Sequence, residues 1–176
     1  RDGSGGHPSD TLEAARRRIR EAGTSIALNW RKRDDILVFI MAQNIYDNPD
    51  FFHGYSQLPR QVHGLDGAPE WPAIRAMLPG LAGKRVVDLG CGFGWASRWM
   101  RGQGAASVLG LDISENMLAR AKADTTDPNI EYRIADIETV ELPEAAFDFA
   151  YSALAFHYVE DFERLARIIY RALAPG

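Results

Sequence analysis

Residues 85 to 95 read Arg-Val-Val-Asp-Leu-Gly-Cys-Gly-Phe-Gly-Trp. Val86, Val87 and Leu89 are the consecutive β-branched and aliphatic residues that a parallel strand buried on both faces requires. Gly90, Gly92 and Gly94 then recur at every second position. Glycine permits a tight turn and lets backbone come within contact distance of a bound molecule. Trp95 to Met100 reads as a helix start, whose free N–H groups and positive dipole end face the same crevice. Strand, glycine turn and helix together predict a site for a nucleotide-like molecule at the mouth of the unit.

The spacing narrows the choice. The dinucleotide fingerprint is Gly-x-Gly-x-x-Gly, where the third glycine allows close helix–strand packing under a pyrophosphate. Here the run is Gly-x-Gly-x-Gly, with Asp88 two residues before the first glycine. A carboxylate there repels a pyrophosphate and suits a molecule carrying an amine and a sulfonium charge. The stretch resembles the first motif of the class I S-adenosylmethionine-dependent methyltransferases, acid-x-Gly-x-Gly-x-Gly. The resemblance implies that Asp88, Gly90, Cys91, Gly92 and Gly94 lie at the cofactor, with Cys91 as a small space-filler rather than a nucleophile.

The following residues extend the resemblance. Ser107 to Leu111 reads as a second buried strand ending in Asp112, 22 residues after Gly90. An acid at that distance meets ribose hydroxyls. Ile113 and Met117 join the expected cofactor set. Ser114 is a cap for the next helix, with Glu115 in its first turn and Met117, Leu118 and Ala121 as its apolar stripe. Asn129 to Ala135 alternates like an edge strand and leads into Asp136-Ile137, which the family uses for the adenine amino group and ring. Phe147 to Ala153 reads as strand four, with Ser152 and Ala153 offering backbone to the cofactor's amino-acid end. His157 follows, where the family places groups facing the acceptor. Each residue also has a structural reading: Asp88 as a cap on the turn, Asp112 as a turn residue, Asp136 as a helix cap, Trp95 and Trp99 as core, His157 as a packed side chain.

Composition sets limits. The chain has 176 residues, 46% hydrophobic and 25% charged, the profile of an ordinary globular domain. A formal net charge of −4 argues against a nucleic-acid footprint. One cysteine excludes an internal disulfide and suits a reducing, cytoplasmic setting. The longest apolar run, Ile36 to Ala42, is far too short to span a bilayer and lacks a secretory pattern. His7, His53 and His63 show no metal-ligand spacing, so no metal is expected.

Three regions follow. Residues 1–40 read as an extension, glycine-rich at first and then helical over Asp10 to Ala22 with an arginine-rich face, and foreign to the domain, since Met41 looks like a natural start. Residues 41–68 read as lid helices, one beginning at Asn48-Pro49, with Tyr46, Phe52 and Tyr55 shaping the acceptor pocket. Residues 69–176 read as the methyltransferase core, opened by a helix over Pro69 to Leu81 and closed by one over Asp161 to Ala174 with Phe162, Leu165, Ile169 and Leu173 inward. The fold class expected is α/β, a Rossmann-like parallel sheet of order 3-2-1-4 with helices on both faces. The family continues through three more strands, so the chain reads as stopping before strand five. An apolar strand four left bare at the sheet edge would invite self-association.

The resemblance implies methyl transfer from S-adenosylmethionine to a small-molecule acceptor, leaving S-adenosylhomocysteine. Such a displacement needs donor and acceptor held in line and water excluded. His157 is the candidate base for a protonated acceptor. The Asn/Asp-Pro-Pro-aromatic signature of nucleic-acid amino methyltransferases is absent, the positions reading Ser152-Ala-Leu-Ala. A non-catalytic cofactor-binding domain or inactive fragment stays open as an alternative. Asp88 and the glycine spacing count against an NAD-dependent oxidoreductase.

Overall fold

The computed structural model describes residues 44–175. The expected extension, its helix at Asp10 to Ala22 and the Met41 start lie outside the described residues. Strand β1 (Arg85–Leu89) pairs in parallel with β2 (Ser107–Asp112) on one side and β4 (Phe149–Tyr151) on the other. Strand β3 (Ile130–Ile134) adds to β2, giving the order β3-β2-β1-β4. That is the expected topology.

The side-chain period of a strand explains the two cores. Val86 and Val108 point to one face, where Met100 of α4 (Trp95–Gly102) and Leu81 bury them. On that face Leu118 and Ala121 of α5 (Glu115–Ala123) pack on Tyr132 and Cys91. Val87, Leu89 and Leu111 point to the opposite face, against Leu165 and Ala172 of α6 (Phe162–Ala172) together with Val140 and Phe147. Helices therefore cover both faces. Each fully buried aliphatic side chain contributes about 1.5–3 kcal/mol. Ser114 caps α5, its hydroxyl accepting from the Met117 N–H at 3.1 Å, and Asn48 caps α1 (Pro49–Ser56) by accepting from Asp50 and Phe51 N–H groups.

Several expected boundaries shift, each for a local reason. The helix expected over Pro69 to Leu81 is confined to α3 (Trp71–Met77), which follows the short α2 (Pro59–Val62). Pro79 pushes Leu78 into extended backbone, ψ 138°, and ends the helix there. Met77, at apolar spacing with Ile74 and Trp71, is 76% exposed. In α6 the expected inward Phe162 is half exposed and lies tilted against Phe156, ring centroids 5.4 Å apart.

Strand four is shorter than Phe147 to Ala153. Asp148 bonds the Arg85 N–H at 2.8 Å and the guanidinium at 2.8 and 3.0 Å, pinning the start of β4 beside the start of β1. Phe147 lies outside β4 and pairs in parallel with Leu173. Its N–H donates to Ala172 O at 3.0 Å, and its carbonyl accepts from Ala174 N at 2.7 Å. The segment after α6 thus covers the first residue of the strand expected to be bare, while Phe149–Tyr151 stands at the end of the sheet order.

Candidate functional site

The glycine turn is fixed from below. The N–H groups of Gly90 and Cys91 both donate to Leu111 O, at 2.8 and 2.9 Å, so the turn leaves β1 and leans on the end of β2. Gly90, Gly92 and Gly94 all take positive φ, 75°, 53° and 72°. Their surroundings differ. A Cβ on Gly92 would meet nothing within 4 Å, so the backbone here faces open cleft. A Cβ on Gly90 would strike Ala155, and one on Gly94 would lie 2.1 Å from the Tyr132 hydroxyl. Gly92 leaves its backbone open to the cleft; Gly94 serves helix–strand packing at the head of α4. Cys91 is buried against Leu118 and Tyr132, and burial pushes its thiol well above the usual range, as expected of a space-filler.

Two carboxylates lie beneath the turn. Asp88 is 1% exposed and accepts from Ser97 Oγ at 2.6 Å. Burial raises its pKa to about 7 against that hydrogen bond. Asp112 accepts from Gly92 N at 2.8 Å and from Ser114 N at 3.0 Å. Burial raises its pKa too, although both N–H groups pull the other way. Asp112, not Asp88, therefore caps the turn. Asp136 turns the chain after β3, its Oδ1 accepting from Glu138 N at 2.9 Å, so it caps a turn rather than a helix.

These groups open into a cleft of about 410 Å³. Asp88, Gly90, Cys91, Gly92, Asp112, Ile113, Met117, Asp136, Ile137 and Ala153 line it, as do Tyr46, Tyr55 and His157. Three expected residues stand behind the lining. Gly94 meets Tyr132, Ser152 Oγ donates to Leu89 O at 2.8 Å, and Phe52 edges onto Phe93 with centroids 5.7 Å apart. Trp99 packs as core, edge-on to Trp71 at 4.8 Å, whereas Trp95 lines the cleft.

Aromatic rings form the roof. Tyr46 meets Phe51, Tyr55 and Tyr158 edge-on, and its hydroxyl lies 3.0 Å from that of Tyr158. Burial first, then the Tyr158 bond, raises the Tyr46 pKa and keeps the phenol neutral. His157 is exposed on the same turn, Phe156–Tyr158, its ring centroid 4.0 Å from that of Tyr158. Sequence reasoning missed Arg60 and Gln61, which α2 carries to the cleft wall, and Asp47. The proline opening α2 was the available signal for the first two. Asp47 bonds Ser114, 67 residues away, and no local pattern announces such a contact.

Among the described residues no cluster of His, Cys, Asp and Glu could hold a metal, and no helix is long and apolar enough to cross a membrane.

Comparison with known proteins accords with this geometry. A family model described as a methyltransferase domain matches residues 87–176. The solved S-adenosylmethionine-dependent methyltransferase from Mesorhizobium loti is 60% identical, covers 64% of this chain and 52% of its own, and superposes with a TM-score of 0.63. Trans-aconitate 2-methyltransferase of Deinococcus radiodurans is 36% identical over 121 residues, 67% of this chain and 45% of its own length. Phosphoethanolamine N-methyltransferase 2 of Haemonchus contortus, solved with S-adenosyl-L-methionine, is 26% identical, with a TM-score of 0.63 over 76% of this chain and 33% of that one. The chain spans about half the length, or less, of these relatives. With the order β3-β2-β1-β4 under an acid-and-glycine turn, and the domain model matching half its length, this chain belongs to the S-adenosylmethionine-dependent methyltransferase family.

Proposed function

We propose that this domain binds S-adenosylmethionine in the cleft over Gly92 and directs its methyl group to a small-molecule acceptor. The observation that carries the reading is the open side of Gly92 flanked by two buried carboxylates, Asp88 and Asp112. Buried acids disfavour a pyrophosphate and favour a ligand with an amine and a sulfonium centre. The residues fit that ligand: Asp112 has lone pairs for ribose hydroxyls, and Ile113 and Ile137 offer apolar walls for a base. When bound, the cofactor supplies a methyl group on a cationic sulfur, which leaves as the neutral thioether of S-adenosylhomocysteine.

The chain's own part is positioning. Gly92 lets the backbone approach, Asp88 and Asp112 set the charge, and Tyr46 and Tyr158 shut the roof and exclude water. His157 borders the cleft and takes a proton from an acceptor that carries one. The roofed cleft, the net charge of −4 and the small acceptors named for the similar enzymes of D. radiodurans and H. contortus favour a small molecule over nucleic acid. A cytoplasmic setting fits the lone, buried cysteine.

Calorimetric titration with S-adenosylmethionine, S-adenosylhomocysteine and NAD tests the reading. Binding of the first two and not of NAD is expected; NAD binding alone would replace methyl transfer with hydride transfer. Turnover on a panel of small acceptors separates an enzyme from a binding module. On the true acceptor, His157→Ala should lower turnover more than cofactor affinity, and unchanged turnover would assign His157 to packing.

A further inference from the structure

The segment before α1 is tied to the cleft by one side chain. Asp47 Oδ1 accepts from Ser114 Oγ at 2.5 Å and Asn116 N at 3.1 Å. Its Oδ2 accepts from Asn44 Nδ2 at 2.5 Å and Glu115 N at 3.3 Å. Asn44 Nδ2 also donates to Ile113 O at 3.4 Å. Ser114 already serves the Met117 N–H, so Asp47 supplies from 67 residues away the cap that the first two N–H groups of α5 lack. A carboxylate at a helix N-terminus is stabilised by the dipole as well. These bonds outweigh burial and hold its pKa below the usual range.

The neighbouring residue gives the latch a purpose. Tyr46 lines the cleft and bonds Tyr158, which follows β4, whereas Asp47 binds the helix that follows β2. Asp47 itself is not among the lining residues. We propose that Asp47 is a positioning residue: it latches the Asn44–Asp47 segment to the start of α5 and so fixes Tyr46 as the roof over the cofactor. The latch is a property of the fold; its effect on the ligand rests on the methyltransferase reading.

The test uses the full 176-residue chain, with S-adenosylhomocysteine as the probe in calorimetry and hydrogen exchange as the second readout. Asp47→Ala should weaken the probe about five- to tenfold, the scale of a lost cap. Asp47→Asn should recover part of that, since its carbonyl oxygen still serves Ser114 and Asn116. In a Tyr46→Ala background Asp47→Ala should add nothing, because the residue it positions is gone. Exchange over residues 45–56 should quicken in Asp47→Ala. If Asp47→Ala fails to fold, Asn44→Ala carries the same comparison. Parental affinity in Asp47→Ala, or an equal loss with Tyr46 removed, overturns the proposal. A parent chain that binds no probe sinks the cofactor reading instead, and unchanged exchange in Asp47→Ala then sinks the latch separately.

Discussion

Gly92 and Gly83 provide a matched pair. Both take positive φ, 53° and 73°, and a Cβ built on either meets nothing within 4 Å. Alanine at each position therefore carries the same backbone strain and no clash with protein. That strain costs about 1–2 kcal/mol for an L-residue in the left-handed region, which lowers the melting temperature of a chain this size by about 2–8 °C. Only Gly92 faces the cleft; Gly83 does not line it. An added methyl group at Gly92 fills space meant for a ligand, and overfilling a packed contact costs about 1–3 kcal/mol. Gly92→Ala should thus bind S-adenosylhomocysteine about five- to a hundredfold more weakly than the parent, while Gly83→Ala binds as the parent does. Calorimetry and thermal melting on both variants measure the two effects separately. Gly92→Val adds β-branching to the strained position and should abolish binding. If Gly92→Ala melts like Gly83→Ala and keeps parental affinity, the turn does not touch the ligand and the placement is wrong.

Asp112→Asn, isosteric and still able to accept one backbone N–H, should fold normally yet lose about 1–3 kcal/mol of S-adenosylmethionine binding, the scale of charge-assisted hydrogen bonds; unchanged affinity in calorimetry would remove Asp112 from the ribose. Asp88 gives a pH signature. Its pKa rises from 3.8 unfolded to about 7 folded, so the folded state binds the extra proton and stability falls as pH rises through that window. Denaturant titrations from pH 4 to 7 should show that slope, and Asp88→Asn should flatten it; an unaltered slope in the variant would assign the effect elsewhere. Self-association through Phe149–Tyr151, which stands at the end of the sheet order, is the remaining proposal. Size-exclusion chromatography should show dimers; a monomeric parent refutes it.

The sequence revealed what depends on neighbours in the chain. Val86 and Val87 alternate between two cores because a strand alternates its side chains, and both belong to a run apolar enough to be buried on both faces. Ser114 and Asn48 act as caps because capping is decided within three residues. The apolar spacing continues to Leu81, beyond the helix over Trp71–Met77, while Pro79 acts on the backbone of the residue before it and ends the helix there. The start of strand four is fixed by the ion pair between Arg85 and Asp148, residues 63 apart, which no local pattern announces.

The same distinction runs through the site. A glycine signals conformational freedom, and the turn was legible for that reason, but the sequence assigns Gly92 and Gly94 one role where the surroundings give two. Open cleft faces one and Tyr132 faces the other, 38 residues further along. Asp88 and Asp112 both stand at strand ends as the sequence predicts, with Asp88 read as the cap on the turn and Asp112 as a plain turn residue. The choice falls to Asp112 because Gly90 and Cys91 lean on Leu111, which brings Gly92 within 2.8 Å of the neighbouring carboxylate. Asp88 is left beneath the turn with Ser97 as its hydrogen-bond partner, and burial there raises its pKa. The acid that marks the family in the sequence is therefore the one that burial pushes toward its protonated form. The acid at the end of β2 holds the turn open, and the roof above both depends on Asp47, a residue that no motif contains.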